Sequence, residues 1–193
     1  MTNRPARTEE ADRLMGLVIE HILAHGIHDL TLNGLAKAVG SNNRMLLYYF
    51  ESKENLISQA ISEAFQGLPT LNTLLPRLYE QGDLRAQLQE GWRTLRAEEN
   101  RQYIILFFEM FAVAVRAPQR HHEYLQTLRD YWTNAIWSAF IHHGWESENA
   151  YCATMRLLSL WRGLQFQWLA GFDVELVDEV HDAGIETILE GPR

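Results

Sequence analysis

One cysteine in 193 residues, Cys152, leaves no partner for an internal disulfide, which points to a reducing compartment. A lone residue of this kind is expected to be a small buried apolar side chain. The longest apolar run, residues 104–115, is broken by Glu109 and is shorter than the roughly 20 residues that cross a bilayer. The opening Met-Thr-Asn-Arg-Pro lacks the apolar stretch of a signal peptide. A soluble, cytoplasmic chain with no membrane partner is therefore expected. Catalytic signatures are missing as well: there is no nucleophile–base set, no phosphate loop and no H-E-x-x-H spacing. His121–His122 and His142–His143 are adjacent pairs, whose side chains diverge on a helix and chelate poorly. No metal and no cofactor is expected.

Positive charge is also scarce. Seventeen Lys and Arg face 25 Asp and Glu, a net charge of -8, which argues against a chain coated in nucleic acid. The distribution matters more than the total. Residues 1–57 carry a net of -1, so the acidity lies in the remainder. A near-neutral N-terminal part joined to an acidic body is compatible with DNA binding when its few cations converge on one face.

Strict alternation long enough for a sheet, internal repeats and low-complexity tracts are all lacking. Apolar residues recur at spacings of three and four throughout, so the chain reads as all-α. A first helix is predicted from a Thr8 cap to His25, burying Ala11, Leu14, Val18 and Ile22, with Gly26 as its stop. Thr31 caps a second helix whose inward residues are Leu32, Leu35, Ala36 and Val39, and Gly40 makes the turn. Ser41 or Asn42 caps a third helix burying Leu46, Tyr49 and Phe50. Ser52 caps a fourth, running to about Gln66. Leu68-Pro69-Thr70, Pro76 and Gly82 mark a boundary between modules. Beyond it, helices are predicted near 83–99, 101–117, 119–143, 147–170 and 173–190.

The layout over residues 30–54 is that of a helix-turn-helix DNA reader. A helix entering the major groove presents short or planar polar side chains at its N-terminal end, and Asn42, Asn43 and Arg44 stand there. Asn pairs bidentately with adenine and Arg with guanine. Thr31 and Lys53 begin the flanking helices, where they can grip phosphates and fix register without reading sequence.

The stretch from Thr31 to Leu56 resembles the signature of the TetR (tetracycline-repressor) family of regulators. Thr31, Ala36, Gly40, Leu46, Tyr48, Phe50, Ser52, Lys53, Glu54 and Leu56 fall in matching places without a gap. Leu47 stands where the family usually has a phosphate-contacting Tyr, and Tyr49 where it has His. Ser41 replaces an apolar residue, and Arg44 often corresponds to Gly. The resemblance implies DNA-facing roles for Thr31, Asn42, Asn43, Arg44, Tyr48, Tyr49 and Lys53. It also implies a body whose last long helices form a dimer. Residues 163–169 resemble, more loosely, the C-terminal type of choline-responsive members.

All six Trp lie at or after position 92. Aromatics concentrated in a helical body can line a ligand cavity, and Trp92, Phe107, Phe111, Trp137, Trp161 and Gln165 are the candidate lining. Glu109 is a conceivable counter-charge for a cation, although it shares the most polar side of its helix and is expected to be solvated or salt-bridged. The helices near 119–143 and 147–170 are apolar nearly all round, so each must bury two faces. Gly163 permits close approach. Paired across two chains, they would make an intermolecular four-helix bundle with two-fold symmetry.

The expected organisation is a three-helix helix-turn-helix DNA-binding domain over residues 1–54 and a helical ligand-binding and dimerisation domain over 55–193. The expected function is a homodimeric transcriptional regulator. It would be a repressor released from a palindromic operator on double-stranded DNA by a small, mainly apolar effector. Two other readings stand beside it: a structural or adaptor dimer with a non-functional helix-turn-helix, and a small helical enzyme.

Overall fold

The computed structural model describes residues 8–67 and 69–192. The chain divides into two compact units. One comprises Met1–Leu68 with Ile105–Met110, the other Pro69–Ile104 with Phe111–Arg193. Among the described residues all regular structure is helical.

The first unit holds α1 (Glu9–His25), α2 (Leu32–Ala38), α3 (Asn43–Phe50) and α4 (Lys53–Gln66). Each start is set by a side chain that accepts an otherwise orphaned amide. The Thr8 hydroxyl accepts from the Ala11 N–H, Thr31 from Gly34, Asn42 from Met45, and Ser52 from Asn55. Asn42, rather than Ser41, is thus the cap of α3. Leu14, Met15, Val18 and Ile22 of α1 meet Leu35, Ala36, Leu46, Phe50, Leu56 and Ala60 in a buried core. Of the predicted inward residues, Leu32 and Tyr49 are only half-buried. Gly40 turns between α2 and α3 at φ 64°.

A helix lies in the stretch read as a boundary: α5 (Pro69–Arg77) starts at a proline and holds Pro76 only in its last turn. Proline is well suited to a first helical position, where its missing N–H would be unsatisfied anyway. Leu68, part of the same expected boundary, lies outside the described residues, as does the opening pentapeptide. Leu74, Leu75 and Leu78 are buried, and burial overrides the turn-forming signal of the two prolines.

The second unit continues with α6 (Leu84–Leu95) and a short 3-10 turn at Glu98–Asn100. The long helices α7 (Arg101–Arg116), α8 (His122–His142), α9 (Ser147–Leu169) and α10 (Val174–Leu189) follow, with residues 105–110 of α7 belonging to the first unit. Helix α9 packs on α8 and α10, and α6 packs on α5 and α10. Their shared core contains Leu88, Trp92, Ile136, Phe140, Leu157, Trp161, Ile185 and Ile188. Each such side chain contributes about 1.5–3 kcal/mol by leaving water. Gly184 is where α10 presses on α9: a Cβ there would sit 2.6 Å from the Leu160 side chain.

Cys152 is exposed, not buried. On α9 the inward register runs through Ala150, Ala153, Thr154, Leu157 and Trp161, and position 152 falls between its rows. No described helix is long and apolar enough to cross a membrane.

Candidate functional site

Helix α3 is anchored by Leu46 and Phe50 and presents its other side outward. Asn42, Asn43, Arg44, Leu47 and Tyr48 are exposed, Tyr48 at 75%. Asn42, Arg44, Met45 and Tyr48 edge a shallow concavity of about 420 Å³. The Asn42 Oδ1 is already engaged by the Met45 N–H at 3.0 Å, so its amide has only the Nδ2 hydrogens to offer. Asn43 and Arg44 carry no such commitment on the same turn. Tyr48 and Tyr49 meet edge to face at 5.0 Å, which fixes the direction of the more exposed ring.

The starts of the two flanking helices are joined to each other. Lys53 Nζ donates to the Leu30 carbonyl at 3.0 Å, tying the first turn of α4 to the chain entering α2. An ammonium carries three N–H donors, so two remain for other acceptors. Thr31 accepts the Gly34 N–H at 3.0 Å and keeps its own hydroxyl proton. Of the seven residues expected to face DNA, Thr31, Asn42, Asn43, Arg44 and Tyr48 are exposed, and Tyr49 and Lys53 are half-buried.

Glu109 belongs to this unit. Its Oε2 accepts the Ile27 N–H at 2.9 Å, just past the end of α1. It is half-buried, and the partner it has is a backbone amide, invisible in a residue pattern, rather than a cation.

Within the second unit a connected polar network runs through the aromatic core. The Trp92 indole donates to Asp178 Oδ1 at 2.8 Å, and Arg96 grips both oxygens of the same carboxylate. The Trp92 ring stacks on His181 at 5.2 Å. Trp161 donates its indole N–H to His181 Nε2 at 3.1 Å, which leaves the imidazole proton on Nδ1, 3.0 Å from Asp182 Oδ1. Burial lowers the His181 pKa, and the Asp182 and Asp178 carboxylates counter it in part.

Next to this network, Trp132 meets Trp161 edge to face at 6.5 Å. The Arg162 guanidinium lies 5.5 Å above Trp132 and donates to Gln165 Oε1 at 2.8 Å. Burial pulls the Arg162 pKa down to about 10, offset in part by Tyr124. The Tyr124 hydroxyl is pushed up to about 12 by burial, and it has no hydrogen-bond partner.

Trp92, Trp161 and Gln165 are thus brought into one neighbourhood. The other candidates for the ligand site are elsewhere. Phe107 belongs with the first unit, and Phe111 is 40% exposed. Trp137 donates to the Ser147 carbonyl at 3.0 Å where α8 turns into α9, with Tyr151 against its ring. Sequence reasoning missed Tyr124, Trp132, Arg162, Asp178 and His181. Arg162 had left a signal, a cation beside Trp161 on an otherwise apolar stripe.

Residues 19–60 match the sequence model of the bacterial regulatory proteins of the tetR family. No curated protein matches the chain. Solved structures of similar fold include a transcriptional regulator from Saccharomonospora viridis in complex with choline. It is 19% identical, with a TM-score of 0.74 over 95% of this chain and 97% of that one. A transcriptional regulator from Rhodococcus sp. RHA1 is 20% identical, with a TM-score of 0.72 over 94% and 96%. A TetR-family regulator from Mesorhizobium loti is 18% identical, with a TM-score of 0.72 over 93% and 95%.

Proposed function

We propose that this chain, a DNA-binding transcriptional regulator of the tetR family and not an enzyme, works as a cytoplasmic homodimeric repressor that a small effector releases from its operator. The observation that carries the reading is the exposed row Asn43, Arg44 and Tyr48 on a helix whose opposite face is fully packed. Asn43 and Arg44 would read base edges, while Thr31, Tyr48 and Lys53 would hold phosphates. Asn42, with its oxygen used as a cap, and half-buried Tyr49 would have lesser shares.

A dimer is supported by apolar side chains left uncovered on the last two helices. Tyr151, Met155 and Phe166 are exposed on α9, with Ser159 and Gly163 between them on the same stripe. A Cβ built at Gly163 meets nothing within 4 Å in the chain itself. Leu176 and Val180 are exposed on α10. These stripes favour a seam of α9 with α10, where the sequence suggested the helix near 147–170 with the one near 119–143. Two-fold pairing would set two α3 helices about 34–36 Å apart, or a multiple of that, on a palindrome.

The effector would enter the aromatic interior of the second unit and favour a conformer with the wrong spacing. The choline held by the Saccharomonospora regulator supports a small molecule in a fold of this kind. Operators selected from a random duplex pool provide the test, with stoichiometry read by light scattering. Two chains on one palindrome are expected. A monomer, or a protein indifferent to every duplex, would overturn the proposal.

A further inference from the structure

Adjacent histidines diverge on a helix, and the His142 and His143 rings do so, meeting nearly at right angles. His21 and His25 do not. Four positions apart on α1, they share one face, and their imidazoles stack with centroids 4.4 Å apart and planes inclined by 25°. His25 is exposed and His21 half-buried, so the pair opens to solvent. A second observation fixes what the pair offers. His25 Nδ1 lies 3.1 Å from the His21 carbonyl oxygen, which can only accept. The ring proton is therefore on Nδ1, and the Nε2 lone pair is left open. A metal-ligating histidine almost always has this arrangement, one nitrogen donating to a carbonyl or carboxylate while the other meets the ion. The His21 ring is committed to no described partner beyond the stack. Burial and the neighbouring His25 lower its pKa, which favours the neutral form that a metal requires. His25 also stands in the last turn of α1, where the carbonyl end of the helix favours a cation.

From this geometry we infer that His21 and His25 form a binding site for a divalent transition-metal ion of the Zn2+ and Cu2+ class, held by two imidazole nitrogens and completed by water. The inference lies outside the repressor and effector readings and does not depend on them. Two nitrogens at roughly 2.0–2.1 Å from a tetrahedral ion stand about 3.3 Å apart. Rings already stacked reach that separation by small rotations about their Cβ–Cγ bonds. The same spacing supplies the two histidine ligands of H-E-x-x-H zinc sites. Here the run is His21-Ile22-Leu23-Ala24-His25, without the glutamate base, so the site would bind an ion and not hydrolyse with it. Among the described residues no group of three or more His, Cys, Asp or Glu converges as a metal site. A pair with two water ligands is therefore an exchangeable site, open to the free ion, rather than a permanent structural one. The ion would bridge two successive turns of α1, the helix that packs on α2 and α4, and so brace the unit that carries the reader.

The test uses the full-length protein without an affinity tag and three probes, the chlorides of Cu2+, Zn2+ and Mg2+. Calorimetry is expected to show Cu2+ bound more tightly than Zn2+, as imidazole ligands dictate, and Mg2+ not bound. The thermal midpoint should rise by about 3–6 °C at a tenfold excess of Zn2+ over its Kd. His21→Asn and His25→Asn each remove one ligand and should weaken Zn2+ by at least about tenfold, the lower end of what loss of a mere second-shell partner costs. His142→Asn should leave it within twofold. Paramagnetic resonance of bound Cu2+ should show coupling to two imidazole nitrogens in the wild type and to one in His25→Asn. Midpoints without metal, taken for every variant, confirm that each still folds, and the Cu2+ spectrum of the wild type needs no variant at all. The proposal is overturned if neither Cu2+ nor Zn2+ binds, if the wild-type spectrum shows fewer than two imidazoles, or if His21→Asn and His25→Asn keep the wild-type affinity.

Discussion

Glu109 Oε2 accepts the backbone N–H of Ile27 at 2.9 Å, across 82 positions of sequence. The carboxylate also occupies the space where a Cβ on Gly26 would be: such an atom would lie 2.5 Å from Glu109 Oε1. Gly26 itself has φ 76° and ψ -173°, a backbone region that only glycine visits without strain. The end of α1 and the middle of α7 are thus matched to each other through a missing side chain.

Gly26→Ala should therefore cost about 1–3 kcal/mol from the backbone alone, with a further loss as the Glu109 carboxylate swings away from Ile27. Glu109→Ala should cost about 1–3 kcal/mol by leaving a part-buried amide unsatisfied. Urea unfolding of both single variants and the double variant checks this. The double should be less damaged than the sum, since the collision and the lost hydrogen bond share one carboxylate. Additive losses would show the two residues to be independent.

At the other end of the reader, Arg44→Ala should weaken the selected operator by about 1–3 kcal/mol and relax base preference at one position, the worth of a bidentate contact. Lys53→Met should weaken all duplexes alike and flatten the slope of affinity against salt. Because Lys53 also holds the Leu30 carbonyl, its variant should lose some thermal stability too, whereas Arg44→Ala should not. Competition binding across a mutated operator series separates these effects.

Between α3 and α4 the chain makes a three-residue turn. The Ser52 N–H donates to the Phe50 carbonyl at 2.7 Å around Glu51, whose φ is 68° and ψ -48°. This is a γ-turn of the rare positive-φ form, strained for any residue with a side chain. Glu51→Gly should stabilise the first unit by about 0.5–1 kcal/mol, and Glu51→Val should destabilise it. A thermal melt in which Glu51→Gly unfolds earlier than the wild type would refute the turn's strain.

His181 makes stability depend on pH in a definite direction. Its folded pKa lies below the ordinary 6.5 because of burial, so the folded chain holds it neutral while the unfolded chain protonates. The His181 contribution is complete above about pH 6.5 and is lost as pH falls from there toward the folded value. Protonation would also place a hydrogen on Nε2, where the Trp161 indole already points. Urea midpoints between pH 7.5 and 5 should drop with acid, and the drop should shrink in His181→Gln. An equal slope in that variant would assign the effect to other groups.

What the sequence disclosed follows from range. Thr8, Thr31, Asn42 and Ser52 cap helices by reaching three residues ahead, so their roles could be read from the neighbours alone. The inward positions of α1 and α2 came from spacing, and Leu32 failed because a first-turn residue lies at the edge of the packed face. Helix α5 was hidden because its two prolines speak locally for a turn, while the burial of Leu74, Leu75 and Leu78 is decided by partners far away in sequence. The same limit explains the second unit. Trp92 and Trp161 were noticed as aromatics, but that both attach to His181 depends on how α6, α9 and α10 pack. Trp137 looked equivalent to them on its helix and serves instead to close a turn.

Cys152 is exposed on α9, one position from Tyr151 on the uncovered stripe, and it is the chain's only thiol. A nitroxide attached there would mark every protomer once, with no cysteine to remove and none to add. In a two-fold assembly such labels would give a single inter-spin distance, so the proposed seam, and any response of it to operator or to the proposed effector, could be followed by pulsed electron resonance on the native sequence.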